Sequence, residues 1–135
     1  MLYTERVLFV PKAEVSLGLR GEEEAASFLM KNGYKIISRN YKNTLGEVDI
    51  IAEDGDVICF VEVKARKSNR FGLAKDSVTM RKQRQIAKAA ISFLKEKGFL
   101  KRRARFDVVA LDYSHFGVKL DLIRNAFDLG ANFNY

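Results

Sequence analysis

Val57-Ile58-Cys59-Phe60-Val61 is an unbroken apolar run that continues past Glu62 through Val63 and Ala65. Successive side chains of a strand point to opposite faces, so a run apolar at every position predicts a strand covered on both sides. A similar segment, Gly46 to Ala52, precedes it, and the intervening Glu53-Asp54-Gly55-Asp56 contains Asp-Gly, which favours a hairpin turn. The chain must therefore bring helices to both faces of a central sheet.

The rest of the sequence supplies them. From Leu17 to Asn32, Ala25, Phe28 and Leu29 recur at helical spacing, Glu22-Glu23-Glu24 occupy the first turns, and Asn32-Gly33 is a stop signal. Tyr34 to Tyr41 predicts a strand before the hairpin. A second helix is expected from Ser77–Thr79 to about Lys97, with Ile86, Ala90, Phe93 and Leu94 on one stripe and Gly98 ending it. Arg105 to Asp112 and Val118 to Arg124 read as further strands. The predicted order is α-β-β-β-α-β(-β), an α/β or α+β sandwich with a central mixed sheet flanked by helices. Residues 1–124 are expected to form a single domain with its core from about residue 17, and residues 125–135 a C-terminal tail.

Composition narrows the function classes. The chain has 135 residues, 47% of them hydrophobic and only one of them Pro, which excludes a disordered or collagen-like chain. No apolar stretch approaches the roughly 18 residues of a membrane-spanning helix, and Met1 to Val10 lacks the pattern of a secretory signal, so a cytoplasmic protein without a membrane partner is expected. The lone Cys59, inside an apolar run, reads as a small buried hydrophobe. One Cys and one His exclude a structural zinc site of the usual kind, and no G-x-x-x-x-G-K-[ST] loop is present. His115 sits in a predicted turn and is assigned no role. Twenty-four Lys and Arg against 17 Asp and Glu give a formal charge of +7, which points to a polyanionic partner, with nucleic acid ahead of an anionic membrane surface.

Asp49, Glu62 and Lys64 interrupt segments that should be apolar, and burying unpaired charge is expensive. Strand alternation puts Glu47 with Asp49 on one face and Glu62 with Lys64 on one face of the neighbouring strand, so the hairpin is expected to gather all four. A divalent cation with oxygen ligands is the simplest way to keep clustered carboxylates ionised. Such an ion polarises a phosphodiester and lowers the pKa of its bound water. A neighbouring lysine would neutralise charge developing on the phosphorus centre or help deprotonate the attacking water. Glu22, one turn in from Gly18, would reach the same cluster if its helix packs near the strand ends. The alternative is a buried ion-pair network concerned only with stability.

Gly46-Glu47-Val48-Asp49, twelve residues, then Glu62-Val63-Lys64 resembles the PD-(D/E)xK nuclease motif, with Val48 in the place of the proline. Together with Gly18-x-x-Gly21-Glu22-x-x-Ala25, Arg39-Asn40-Tyr41, Phe71-Gly72, Lys82 and Arg105-Phe106-Asp107-Val108-Val109, the chain resembles the bacterial YraN family over roughly Leu17 to Ile123. The resemblance implies a restriction-endonuclease-like αβββαβ core related to archaeal Holliday-junction resolvases. It implies Asp49 and Glu62 as metal ligands and Lys64 as the catalytic lysine, and it matches Glu22 to the family's helix-1 glutamate. Glu22 would complete the metal shell or orient a water, and Glu47 would be an auxiliary ligand.

A basic stretch begins where the predicted catalytic strand ends. Lys64, Arg66, Lys67, Arg70, Lys75, Arg81, Lys82 and Arg84 are opposed in that window only by Asp76. Such residues bind phosphates without reading sequence. Arg66, Lys67, Arg70 and Lys82 are candidate nucleic-acid contacts, and Phe71 is a candidate to stack on a base. Lys101-Arg102-Arg103 with Arg105 reads either as a remote phosphate contact or as a soluble loop. The expected function is a Mg²⁺- or Mn²⁺-dependent endonuclease acting on DNA, with branched DNA as a candidate substrate. The rival is a non-catalytic nucleic-acid-binding module of the same fold. A third role is homodimerisation through a strand edge or the tail Asn125 to Tyr135.

Overall fold

A computed structural model describes residues 2–6, 17–67, 78–114 and 117–128. The elements are β1 (Leu2–Arg6), α1 (Leu17–Lys31), β2 (Lys35–Asn43), β3 (Gly46–Asp54), β4 (Val57–Arg66), α2 (Met80–Lys97), β5 (Ala104–Ser114) and β6 (Gly117–Phe127). They build one six-stranded sheet in the order β1-β6-β5-β4-β3-β2. Only β4 and β5 run parallel, from Ile58↔Ala104 to Arg66↔Asp112, and α2 is the crossover that a parallel pair requires. The expected αβββαβ order of an α/β fold is present, with two additions. β1 pairs with β6 from Leu2↔Arg124 to Arg6↔Leu120 and was not foreseen, and the last strand runs on to Phe127.

Two apolar clusters, one on each face, explain the double-sided hydrophobicity of the central strands. Ala25, Ala26, Phe28 and Leu29 of α1 pack with Ile50, Ala52, Cys59, Val61, Val109 and Leu111. Ile86, Ala90, Phe93 and Leu94 of α2 pack with Val48, Ile51, Ile58, Phe60, Phe106 and Val108. Alternation along β4 is regular. Val57, Cys59 and Val61 face α1, and Ile58 and Phe60 face α2. Cys59 is fully buried, and burial first, then the charge of Asp107, pushes its thiol up to about 12. That agrees with its reading as a core residue.

The helix ends follow from local sequence. Thr79 caps α2 by accepting from the Lys82 N–H at 3.1 Å. The Tyr34 N–H reaches back to the Leu29 carbonyl and Gly33 N–H to that of Met30, a closure that needs the left-handed φ of 88° at Gly33. The glutamates of α1 lie beyond its first turn, which holds no acidic residue, so the expected helix-dipole role does not apply. Glu23 instead pairs with Arg39 at 2.9 Å, and Glu24 pairs with Arg20 and accepts from Tyr113 Oη at 3.2 Å. At β3–β4 the turn residues are Gly55-Asp56, flanked by the pair Asp54↔Val57, with positive φ at Gly55 alone.

A buried polar network closes the far end of the sheet. Asp107 is fully buried and accepts from Tyr34 Oη at 2.9 Å, from Arg105 Nε at 3.0 Å and from the Asn125 N–H at 2.9 Å. Arg105 also reaches Asp54 at 2.6 Å. Arg105 is therefore not part of a surface phosphate cluster. Arg102 likewise pairs with Glu53 at 3.0 Å and lies over the Phe99 ring, which favours the loop reading of residues 101–103. No helix among the described residues is long and apolar enough to cross a membrane.

Candidate active site

The site lies where β3 leaves β4. Their ladder runs from Asp54↔Val57 to Ile50↔Val61 and stops, whereas β4 stays paired with β5 as far as Arg66. In the gap, Asp49 Oδ2 accepts the Val63 N–H at 2.8 Å, so a carboxylate takes the place of a strand partner. A break in alternation accompanies the gap. Val48 and the paired Tyr41 join the α2 cluster, while Ile50 faces α1 and the Arg39 opposite it pairs with Glu23 of α1. Asn40, between Arg39 and Tyr41, has a φ of 53°, a left-handed conformation that Asn tolerates. Glu47 and Asp49 both still reach the α2-side cluster, Asp49 beside Glu62 and Glu47 through Lys82.

Glu62 continues the α2-facing row of Ile58 and Phe60 and is only 6% exposed. Its carboxyl is pushed up to about 9, by burial first and then by a hydrogen bond with Asp49 and the charge of Asp49. Lys82 and Lys64 pull in the opposite direction. Glu62 Oε2 is buried without a hydrogen-bond partner. Lys82, one turn into α2, places its ammonium 3.9 Å from Glu62 Oε2 and 3.8 Å from Glu47 Oε1. Glu47 is also 3.6 Å from the exposed Lys42.

Two open hollows border these groups, and both include Lys82 and Gln85. One, of about 390 Å³, is lined by Lys64, Thr79 and Arg81; the other, of about 370 Å³, by Lys42 and the turn from Asn43 to Glu47. The turn is held against α2 because Gly46 has no side chain. A Cβ there would lie 2.5 Å from the Gln85 carbonyl oxygen.

The structure thus brings together Asp49, Glu62, Lys64 and Lys82, with Glu47 reaching them through Lys82. It does not assemble the four-carboxylate shell expected from Asp49, Glu62, Glu22 and Glu47. No group of three His, Cys, Asp or Glu side chains able to hold an ion occurs among the described residues. Glu22 is half-buried on α1, which packs on the face of the sheet opposite α2, whereas Glu62 belongs to the α2-facing row. A half-buried Asp49 beside a buried Glu62 with one oxygen unsatisfied still fits Mg²⁺, which usually takes one or two carboxylates and completes its shell with water and substrate phosphate.

The expected nucleic-acid contacts divide. Arg66 forms a two-pronged pair with Asp112, at 2.8 and 3.2 Å, so its fork is engaged inside the fold rather than open to phosphate. Lys82 faces carboxylates before any phosphate. Lys67, Arg81 and Arg84 are exposed. Arg70, Phe71, Lys75 and His115 lie outside the described residues. Sequence reasoning missed Gln85 and the turn around Leu45, because their proximity to the site depends on how the hairpin docks on α2, for which no local pattern exists.

Comparison with known proteins identifies relatives by sequence. The sequence profile of the uncharacterised protein family UPF0102 matches residues 21–111, which span β2 to β4, α2 and most of α1 and β5. A UPF0102 protein of Desulfosudis oleivorans is 49% identical over 111 residues, covering 82% of this chain and 89% of that protein. One from Syntrophus aciditrophicus is 42% identical over 123 residues, covering 91% and 97%. One from Geobacter sulfurreducens is 47% identical over 114 residues, covering 84% and 89%. The profile match contains every residue of the candidate site, and the chain belongs to the UPF0102 family, the YraN family that its motifs resemble.

Proposed function

We propose that this chain is a Mg²⁺- or Mn²⁺-dependent endonuclease that hydrolyses DNA phosphodiesters, with a preference for branched DNA. The observation that carries this reading is the pairing of the buried Glu62 with the half-buried Asp49 at the splayed end of β3 and β4, flanked by the ammonium groups of Lys64 and Lys82. A carboxylate pair whose own repulsion and burial keep a proton on Glu62 becomes fully ionised when a divalent cation compensates it. Asp49 and Glu62 would hold that ion, which when bound polarises the phosphodiester and acidifies a water. Lys64, on the same strand face as Glu62, would donate to the phosphoryl oxygens as charge develops or orient the attacking water. Exposed Lys67, Arg81 and Arg84 would grip flanking phosphates without reading sequence. Recognition of DNA by its form rather than its sequence follows from that grip.

The test is a cleavage screen of wild type and Glu62→Ala on linear, flapped, single-stranded and four-way-junction DNA with Mg²⁺, Mn²⁺ or EDTA. Product formed only by wild type and only with metal, most rapidly on branched substrates, is the expected result. Equal absence of product from both proteins would sink the nuclease reading.

One observation favours a second reading. The described residues offer no third acidic ligand, and Lys82 already compensates part of the buried charge, as a non-catalytic nucleic-acid-binding module would need. Under that reading Glu62→Ala leaves DNA affinity unchanged or higher, and affinity still falls with salt as Lys and Arg contacts dictate.

A further inference from the structure

Lys82 stands at ion-pair distance from two carboxylates that no other described group bridges. Its ammonium is 3.8 Å from Glu47 Oε1 and 3.9 Å from Glu62 Oε2, too far for a hydrogen bond to either. Glu62 Oε2 is accordingly left buried and without a hydrogen-bond partner. The placement of Lys82 is built in. Its N–H is fixed by Thr79 at the cap of α2, and the Gly46–Gln85 contact seats the hairpin bearing Glu47 on the same stretch of helix. Only 28% of the Lys82 side chain is exposed, so its charge acts in a partly dry setting where it is weakly screened.

Phosphodiester-cleaving sites that use two divalent ions set them roughly 3.5–4 Å apart, one beside the attacking oxygen and one beside the leaving oxygen. Two such ions need more carboxylates than Asp49 and Glu62 supply, and no third acid joins them among the described residues. We infer that Lys82 takes the place of the second metal ion: the chain binds one divalent cation at Asp49 and Glu62, and the ammonium held between Glu62 and Glu47 supplies the second positive charge. This rests on the nuclease reading above and specifies its metal requirement. It also explains why Lys82 turns toward acids in a region otherwise suited to phosphate.

The assignment predicts how the site counts ions. Mn²⁺ titration of the full chain, followed by the paramagnetic resonance signal of free Mn²⁺, should give one site per chain in wild type and in Lys82→Arg. In Lys82→Met, Glu47 and Glu62 lose their shared cation, and a second, weaker Mn²⁺ should bind. Cleavage by Lys82→Met should fall about 10²-fold at low metal, as when one fixed transition-state charge is removed. It should recover at high Mg²⁺ with a dependence on metal concentration that steepens from first toward second order.

Two ions in wild type, no ion in wild type, or a single ion with unchanged cleavage in Lys82→Met would each overturn the assignment. If the methionine variant fails to fold, Lys82→Gln, which removes the charge but keeps a polar side chain, is titrated in its place, and a single ion with unchanged cleavage there overturns the assignment equally. Wild type that cleaves while binding two ions removes the lysine assignment and leaves the nuclease reading intact. The one-to-two change in stoichiometry without cleavage by any protein keeps Lys82 as the occupant of a second cation's place but removes the nuclease reading, and with it the lysine's part in cleavage.

Discussion

Gly46 meets Gln85 backbone to backbone: a Cβ on residue 46 would fall 2.5 Å from the Gln85 carbonyl oxygen. Neither partner can yield by rotating a side chain, because the obstructing atom belongs to the helix itself. Gly46→Ala should therefore lift the hairpin from α2 and cost about 1–3 kcal/mol, the usual range for overpacking. Urea unfolding checks the loss. A midpoint equal to that of wild type would mean that the hairpin does not rest on the helix.

Glu62 makes stability depend on pH with a definite sign. Its carboxyl is raised from 4.5 to about 9 in the folded chain, mainly by burial and by Asp49. Below the unfolded value both states carry the proton and no penalty exists. As pH rises from about 4.5 toward 9 the unfolded chain releases the proton first, so stability falls across that window. In chelator, Glu62→Gln should remove this slope and be more stable than wild type at pH 8 by on the order of 1–3 kcal/mol. Parallel denaturation curves at pH 5 and pH 8 provide the comparison; an identical pH slope in the two proteins would contradict it.

Asp107 is the hub of the network at the opposite end of the sheet, accepting from Tyr34, Arg105 and the Asn125 N–H. Asp107→Ala would leave the largely buried Arg105 guanidinium without its main counter-charge, an outcome that usually costs about 3–5 kcal/mol. Arg105→Met combined with Asp107→Leu should recover part of that loss, because both charges go together while Tyr34 Oη and the Asn125 N–H still lose their acceptor. Thermal melts of the single and double variants would show the non-additivity, and strict additivity would refute the coupling.

Arg81 lines the hollow beside Lys64 and is exposed. If that hollow receives nucleic acid, Arg81→Ala should weaken binding to every DNA sequence alike and reduce the slope of log affinity against log salt by about 1. Fluorescence anisotropy at several salt concentrations measures both. An unchanged slope would place the phosphates elsewhere.

Much of the fold could be read from apolar periodicity. The two-sided burial of β3 and β4 followed from consecutive apolar residues, and α2 from the spacing of Ile86, Ala90, Phe93 and Leu94. β1 escaped because five residues with one weak alternation do not distinguish an edge strand from an irregular end. At the site, Asp49, Glu62 and Lys64 announced themselves by being charged where the pattern demanded apolar residues. Their mutual geometry did not, since it depends on the alternation break at Asn40 and Asp49, which requires a backbone conformation that no residue spacing reports. Arg66 shows the complementary limit. A basic residue at the end of a strand looks the same in sequence whether it meets a phosphate or, as here, Asp112 on the neighbouring strand.

The Val63 amide gives the site a native spectroscopic gauge. Its hydrogen is held by the Asp49 side chain rather than by a strand backbone, so its chemical shift and exchange rate should follow the charge and occupancy of that carboxylate. Neighbouring amides locked into the β4–β5 ladder provide an internal reference that the same event leaves still. A cation drawn to Asp49 should therefore register as an isolated change at one backbone nitrogen. The same signal is available with no substrate present.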